Sequence, residues 1–229
     1  MIEGQTYTFE VFGLQEGVLV MIDRETGSVW SHLDGVALEG PETGAQMKFI
    51  PMLVSTWEDW RDLNPSTVVL SDDTPFRSRY RDVEVGMPNP QGGLDLLYGD
   101  DRLKAEELVL GVMTDESFAA YPLFELSGTD GVVNDTIDQL PIVIFYDAGS
   151  NSATAFSRVI DGREAQFEVV GSDPFLARDN LTNTTWNIAG VGVAGVAEGD
   201  ALDFVISYVS EWYGWSAYHP STTLFAAPE

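Results

Sequence analysis

The sequence predicts a mainly β protein, β-rich α+β in class, built as two related β units from an internal duplication, each with one short helix. Three observations predict it. Short runs of β-branched and aromatic residues recur along the chain, parted by turn phrases such as "DGRE" and "EGD". Helix signals are confined to two places, "STWEDWRDLNPST" from Ser55 and "SEWYGWSAYHPST" from Ser210. Those two phrases belong in turn to a self-similarity that runs through most of the chain.

In order, the strand signals fall at Tyr7–Phe12, Val18–Ile22, Val68–Leu70, Leu108–Met113, Ile142–Tyr146, Thr154–Val159, Phe167–Val170 and Phe204–Tyr208. The longest apolar run, "LPIVIFY" at Leu140–Tyr146, suits a strand buried on both faces. Ser55 with Glu58 has the spacing of a capping box, opening a helix that the proline region closes. Trp57, Trp60 and Leu63 then share one helix face, as do Trp212, Trp215 and Tyr218 in the second phrase. Such tryptophans are large apolar anchors that seat a short helix on a sheet. The alternative is a stacking platform for a ligand at Trp212 and Trp215.

The repeat is ordered. "IEGQTYTFEVFG" from Ile2 returns as "IDGREAQFEVVG" from Ile160, and Asp23, Thr26 and Trp30 return as Asp179, Thr182 and Trp186. Gly35, Gly40, Gly44 and Phe49 map onto Gly190, Gly195, Gly199 and Phe204, and Trp57, Trp60 and Pro65 onto Trp212, Trp215 and Pro220. The offset drifts only from 158 (Ile2 to Ile160) to 155 (Trp60 to Trp215), which small loop deletions explain. The copies are unequal: about fifty residues from Leu108 onward precede the second and have no counterpart before the first. The expected organisation is a first unit over 1–70 lacking its N-terminal strands, a Pro/Gly/Asp-rich linker over 71–107 and a complete second unit over 108–229. An incomplete first unit should expose a strand edge that invites self-association or complementing strands.

Charge narrows the partners. Thirty-seven acidic residues face eleven basic ones, a net charge of -26, and the only lysines are Lys48 and Lys104. Such a chain repels phosphate backbones, which excludes nucleic acid and anionic membranes as natural partners. It fits a high-salt setting, where screening removes self-repulsion while carboxylates keep the surface hydrated. The absence of cysteine excludes disulfides, thiolate metal sites and cysteine nucleophiles. The start shows no signal peptide, and no apolar run approaches the roughly 18 residues of a transmembrane helix.

Candidate chemistry is sparse. "GVGVAG" at Gly190–Gly195 matches a dinucleotide fingerprint, but a turn and strand follow it where a helix N-terminus is needed, so no cofactor is expected. Of two histidines, His32 follows Trp30, while His219 stands where the first copy has Asn64 and reads as a helix-end residue meeting the last carbonyls. No histidine pair stands at metal-ligand spacing and no EF-hand loop is present, so no metal site is expected. Asp23 and Asp179 read as turn formers above a tryptophan, and Asn134 in "NDT" as an Asx-type turn. The catalytic candidates are Asp179, His219, Asn134, Asp135 and Tyr146; the ligand-binding candidates are Trp212, Trp215 and the basic cluster Arg77, Arg79 and Arg81, whose arginines would share a face if extended. The sequons at Asn134, Asn180 and Asn183 matter only if the chain is exported.

"VLGVMTDESFAAYPLFEL", "GVVNDTIDQLPIVIFYD", "SATAFSRVIDG" and "YHPST", taken in order, resemble the bacterial and archaeal family called domain of unknown function 3179, and "MIDRETGSVWSHLDGVALEGP" with "TWEDWRDLNPSTVVLS" resembles its front half. The resemblance covers nearly the whole chain except the linker. It implies two related halves and an extracellular or cell-envelope location, with a proline-leucine-cysteine-glycine phrase upstream of the front half; the counterpart here, "YDAGSNSA", has no cysteine. Two functions follow as expectations: a non-catalytic binding or scaffold module of the envelope adapted to high salt, or a hydrolase or lyase with a polar cleft around Asp179, His219 and Asn134.

Overall fold

Four short strands open the chain: β1 (Phe9–Gln15), β2 (Val18–Asp23), β3 (Val29–Ser31) and β4 (Ala37–Glu39). They form an antiparallel meander in the order β1-β2-β3-β4 in this computed structural model, which describes residues 4–79 and 99–227. Glu16 and Gly17, both at positive φ, make the two-residue turn whose twist suits the β1–β2 hairpin. Helix α1 (Trp57–Leu63) follows, and a single 3-10 turn at Arg77–Arg79.

After residue 99 come β5 (Leu108–Met113), β6 (Phe118–Pro122), the one-turn helix α2 (Leu123–Leu126), β7 (Val132–Ile137), β8 (Leu140–Asp147) and β9 (Ser152–Ser157). A two-residue ladder joins β10 (Val159–Ile160) to β11 (Arg163–Glu164). A second meander, β12 (Phe167–Ser172), β13 (Phe175–Asp179), β14 (Thr185–Asn187) and β15 (Gly192–Ala194), repeats the strand order of the first. It also repeats the bulges: Val11/Gly13 in β1 matches Val169/Gly171 in β12, and Val29/Trp30 matches Thr185/Trp186. The chain ends in β16 (Ser207–Glu211), α3 (Trp212–Tyr218) and β17 (Thr223–Leu224).

The second half is layered. β16 and β17 flank the hairpin β5–β6 in one sheet, β16 antiparallel to β5 and β17 parallel to β6. β7, β8 and β9 form the next sheet. Alternation along β8 explains how it serves two cores. Ile142, Ile144 and Tyr146 face Leu110, Val112 and Tyr121, while Val143 and Phe145 face Phe167, Phe175 and Trp186 of the second meander. On the outer face of β5–β6, α3 lays Trp212 and Trp215 over Val109 and Ala120. Gly111 is required there, because a Cβ on it would lie 2.1 Å from the Trp215 ring. The first meander packs on the same helix through Val18 and Leu33, and Phe49 stacks on Tyr208. Residues 99–107, placed in the linker by sequence, also pair with α3 and the turn after it: Trp212 Nε1 donates to Asp100 O (3.0 Å) and Arg102 Nη1 to Thr222 O (2.8 Å).

Several expectations need correction. Val68–Leu70 forms no strand; all three residues are exposed, Val68 by 91% and Leu70 by 96%. The last long strand starts at Ser207, and Phe204 makes only an isolated bridge to Phe156. The helix cap is Thr56, one residue after Ser55, accepting from Asp59 N at 3.2 Å. The anchor reading holds for Trp212 and Trp215, both fully buried, and fails for Trp57 and Trp60, exposed by 53% and 39%. Among the described residues α1 buries no side chain, and only its last residue, Leu63, packs on the core of the second meander.

Candidate functional site

The tightest polar constellation repeats in each meander. Asp179, buried at the end of β13, takes hydrogen bonds from Leu181 N (2.9 Å), Thr182 N (2.6 Å), Thr182 Oγ1 (2.7 Å), Thr184 N (3.1 Å) and Trp186 Nε1 (3.0 Å). Asp23 takes four of the equivalent bonds, from Thr26 N (2.5 Å), Thr26 Oγ1 (2.8 Å), Ser28 N (3.2 Å) and Trp30 Nε1 (2.8 Å). Burial alone would raise both carboxyl pKa values, but the converging donors outweigh it and hold them below the ordinary range. A carboxylate saturated this way fixes the turn and the tryptophan beneath it, with no lone pair aimed at solvent.

The second constellation joins the two halves. The first meander's turn residue Asp34 places Oδ1 3.1 Å from His219 Nε2 and 3.3 Å from the Tyr208 hydroxyl, which donates to it. The His219–Asp34 approach is off the direction of a well-aligned hydrogen bond, and among the described residues neither ring nitrogen of His219 has a hydrogen-bond partner. The imidazole is buried, stacked 4.0 Å from the Phe118 ring centroid and 4.3 Å from that of Trp215. Burial, then the Asp34 charge, pushes the Tyr208 phenol far above its ordinary pKa. The backbone of His219 caps α3 by donating to Trp215 O (2.9 Å), as Asn64 does to Trp60 O (2.8 Å) in α1. The side chains then diverge: Asn64 Nδ2 turns to Trp60 O (3.3 Å), while His219 crosses to the other half.

Between the halves runs a cleft of about 1280 Å³. Met47 and Phe49 line one wall, Met113, Leu140 and Ile206 the other, and Lys48, Asp115, Glu116, Asp138 and Asp203 its polar rim. Asp138 is held by Thr114 Oγ1 (2.6 Å) and Ser117 Oγ (2.7 Å), whose hydroxyls lower its pKa.

The other sequence candidates have separate partners. Asn134 bridges β7 to β12, donating to Phe167 O (2.8 Å) and accepting from Phe167 N (2.9 Å), as a strand backbone would. Asp179 lies across the ladder from the same Phe167, yet its carboxylate is closed on its own turn. Asp135 accepts from the Tyr121 hydroxyl (2.8 Å), whose pKa is raised by burial and then by that carboxylate. Tyr146 donates to Asn151 Oδ1 (2.8 Å) and lines a different cavity from Asp135. His219 meets none of these four in the contacts described above. Arg77 pairs with Asp72 (3.3 Å) and Arg79 lies 5.3 Å from the Phe76 ring centroid. Arg77–Arg79 is a 3-10 turn and not the extended segment expected; Arg81 lies outside the described residues. Among the described residues, no group of three or more His, Cys, Asp or Glu is arranged to hold a metal ion.

"GVGVAG" forms a turn and β15. Its outer glycines take positive φ and also leave no room for a side chain: a Cβ on Gly190 would lie 2.5 Å from Phe156 and one on Gly195 2.8 Å from Thr184 Cα. Sequence reasoning missed Asp34, the partner of His219. Its only local signal was a turn aspartate in "HLDG", one of many in so acidic a chain. Among the described residues, no helix is long and apolar enough to cross a membrane.

No curated protein and no solved structure matches the chain. A family profile described as protein of unknown function (DUF3179) matches residues 1–222, nearly the whole chain, and the protein belongs to that family.

Proposed function

We infer that the protein is a non-catalytic binding or scaffold module of the cell envelope, adapted to high salt, and that its two β units arose by duplication. The observation that carries the first part is the spending of polar side chains. Asp179, Asn134, Asp135 and Tyr146 each close on a partner within the fold, and His219 is sealed beneath Phe118 and Trp215. A general base must reach a substrate proton within hydrogen-bond distance. A histidine enclosed by two aromatic rings does not. The inter-half cleft supports binding instead: its walls are largely apolar and its rim carries four carboxylates against one lysine. An extended apolar segment with positive charge is the ligand class that fits. The common strand order, bulges and Asp–Trp turns support the duplication, and the net charge of -26 supports the high-salt setting.

The test is a binding screen of the full chain in molar KCl against short apolar peptides of graded positive charge. Saturable binding weakened at least tenfold by Met47→Glu is expected. Turnover of an ester, glycoside or peptide substrate that His219→Gln abolishes would overturn the non-catalytic reading.

A further inference from the structure

The turn between β7 and β8 stands between two cavities. One is the inter-half cleft. The other, of about 420 Å³, falls within the usual range of small-ligand sites, roughly 300–1,000 Å³. Asp138 lines both. Its carboxylate is pinned by one hydroxyl from each. Oδ2 accepts from Thr114, which lines the cleft, at 2.6 Å, and Oδ1 from Ser117, which lines the smaller cavity, at 2.7 Å. Asp138 and Gln139, both at positive φ, close the two-residue turn between Ile137 and Leu140, so the carboxylate rides on a short, fixed element.

The smaller cavity has an aromatic wall and a second carboxylate. The rings of Tyr121 and Phe225, both lining it, have centroids 5.2 Å apart and are tilted by 31°. Asp135 Oδ2 accepts from the Tyr121 hydroxyl (2.8 Å) and Oδ1 from Thr136 N (2.7 Å). A carboxylate oxygen has two lone pairs, so the oxygens of Asp135 and Asp138 can each take a further donor. Among the described residues that line this cavity there is no lysine or arginine. Arg158 reaches the same strand at Asp135 O (3.1 Å) and Thr136 Oγ1 (3.3 Å), but it is buried and paired with Glu164. The cavity therefore joins two carboxylates to an aromatic wall, with no cation among its lining residues.

We propose that this cavity is a guanidinium pocket, which seats an arginine side chain of a peptide lying in the cleft. Asp138 at the boundary and Asp135 within are its acceptors, and Tyr121 and Phe225 form the wall against its flat face. The inference rests on the cleft reading for the peptide and goes beyond it by naming the side chain and its seat. Arginine is the cation that fits. Its guanidinium is planar, carries five donors in a fixed fork that matches carboxylates, and stacks on aromatic rings. A lysine ammonium is a strongly hydrated point charge and uses neither the fork nor the wall as well. Asp138 is suited to the part because the Thr114 and Ser117 hydroxyls favour its ionised form.

The experiment titrates the full chain with N-acetylarginine methylamide, a probe too small to need the cleft, and with its lysine and citrulline counterparts. Molar KCl screens charges beyond about 3 Å, so the general field of the protein does not attract the probe. Backbone amide shifts are the readout. Saturable shifts are expected at Ser117, Thr136 and Asp138, with arginine bound at least tenfold more tightly than citrulline and at least threefold more tightly than lysine. Asp138→Asn, which the positive φ of the turn tolerates, should cut the preference for arginine over citrulline at least fivefold. The proposal is overturned if the arginine probe shifts none of the three amides, or if lysine or citrulline binds as well as arginine. It is overturned equally if calcium chloride shifts the same amides and displaces the arginine probe at a lower concentration, since the pocket then belongs to a divalent cation. A short apolar peptide with a central arginine should bind at least tenfold more tightly than the single-residue probe. If the probe binds and the peptide gains nothing over it, the pocket stands and the cleft reading falls.

Discussion

Replacing Asp179 by alanine tests the reading of the Asp–Trp turn as a structural knot. The substitution removes the acceptor of five hydrogen bonds. The amides of Leu181 and Thr182 are part-exposed and can turn to water, and Thr182 Oγ1 keeps Thr184 Oγ1 at 2.7 Å. Trp186 Nε1 is buried and is left without an acceptor, and Thr184 N keeps only a long bond to Thr182 Oγ1 (3.3 Å). Each stranded donor costs about 1–3 kcal/mol, and with the lost charge-assisted bonds the total is about 3–5 kcal/mol. For a chain of this length that lowers Tm by about 10 °C. Asp179→Asn keeps the volume but turns an N–H₂ group towards donors, and should lose somewhat less. Urea melts in molar KCl measure both. Because the folded-state pKa of Asp179 is depressed, its contribution is fully present above the unfolded value near pH 4 and is lost as pH falls through the folded value. The variants should therefore lack part of the wild-type acid slope. A loss below about 1 kcal/mol with an unchanged slope would refute the knot and return Asp179 to the list of free carboxylates.

Trp215→Ala should cost about 3–5 kcal/mol by emptying a core site, whereas Trp60→Ala, at the matching position, should cost under about 1 kcal/mol; paired chemical melts separate them. Asp34→Ala should leave His219 and the Tyr208 hydroxyl without their partner and cost about 1–3 kcal/mol, with faster exchange at the junction between the halves as the readout. Tyr121 and Tyr208 have raised folded-state pKa values, so the folded chain binds more protons than the unfolded one above about pH 10. Stability must then fall as pH rises past that point, and tyrosinate absorbance should appear together with unfolding. Tm should climb steeply as KCl goes from about 0.1 to 1 M, where the Debye length shrinks from about 10 to 3 Å and the self-repulsion of 26 net negative charges is screened.

The β class and seven of the described strands, β1, β2, β5, β8, β9, β12 and β16, were legible because they rest on local pattern: β5 falls where its apolar run does, and β8 extends the expected run by two residues at its start and one at its end. The Asp179 turn was legible too, since Asx chemistry is decided within a few residues. Val68–Leu70 was misread because strand propensity cannot know whether a partner strand exists. The same limit hid the contrast between the two tryptophan pairs, identical in spacing and opposite in burial. Asp34 and His219 stand far apart in sequence and meet only because the first meander packs on α3. No local pattern encodes that meeting.

The order of strands in the β16-β5-β6-β17 sheet has a kinetic consequence. Its centre is a local hairpin, while both outer strands lie about a hundred residues later, and closing a loop of that length costs roughly 4 kcal/mol of chain entropy. That sheet should be the last part of the protein to form, after the second meander between has folded and drawn the ends together. Until then the hairpin has two bare edges in a crowd of apolar strands. Refolding yield should accordingly depend on protein concentration more than on final stability, and shortening the chain past Leu224 should slow folding before it weakens the fold.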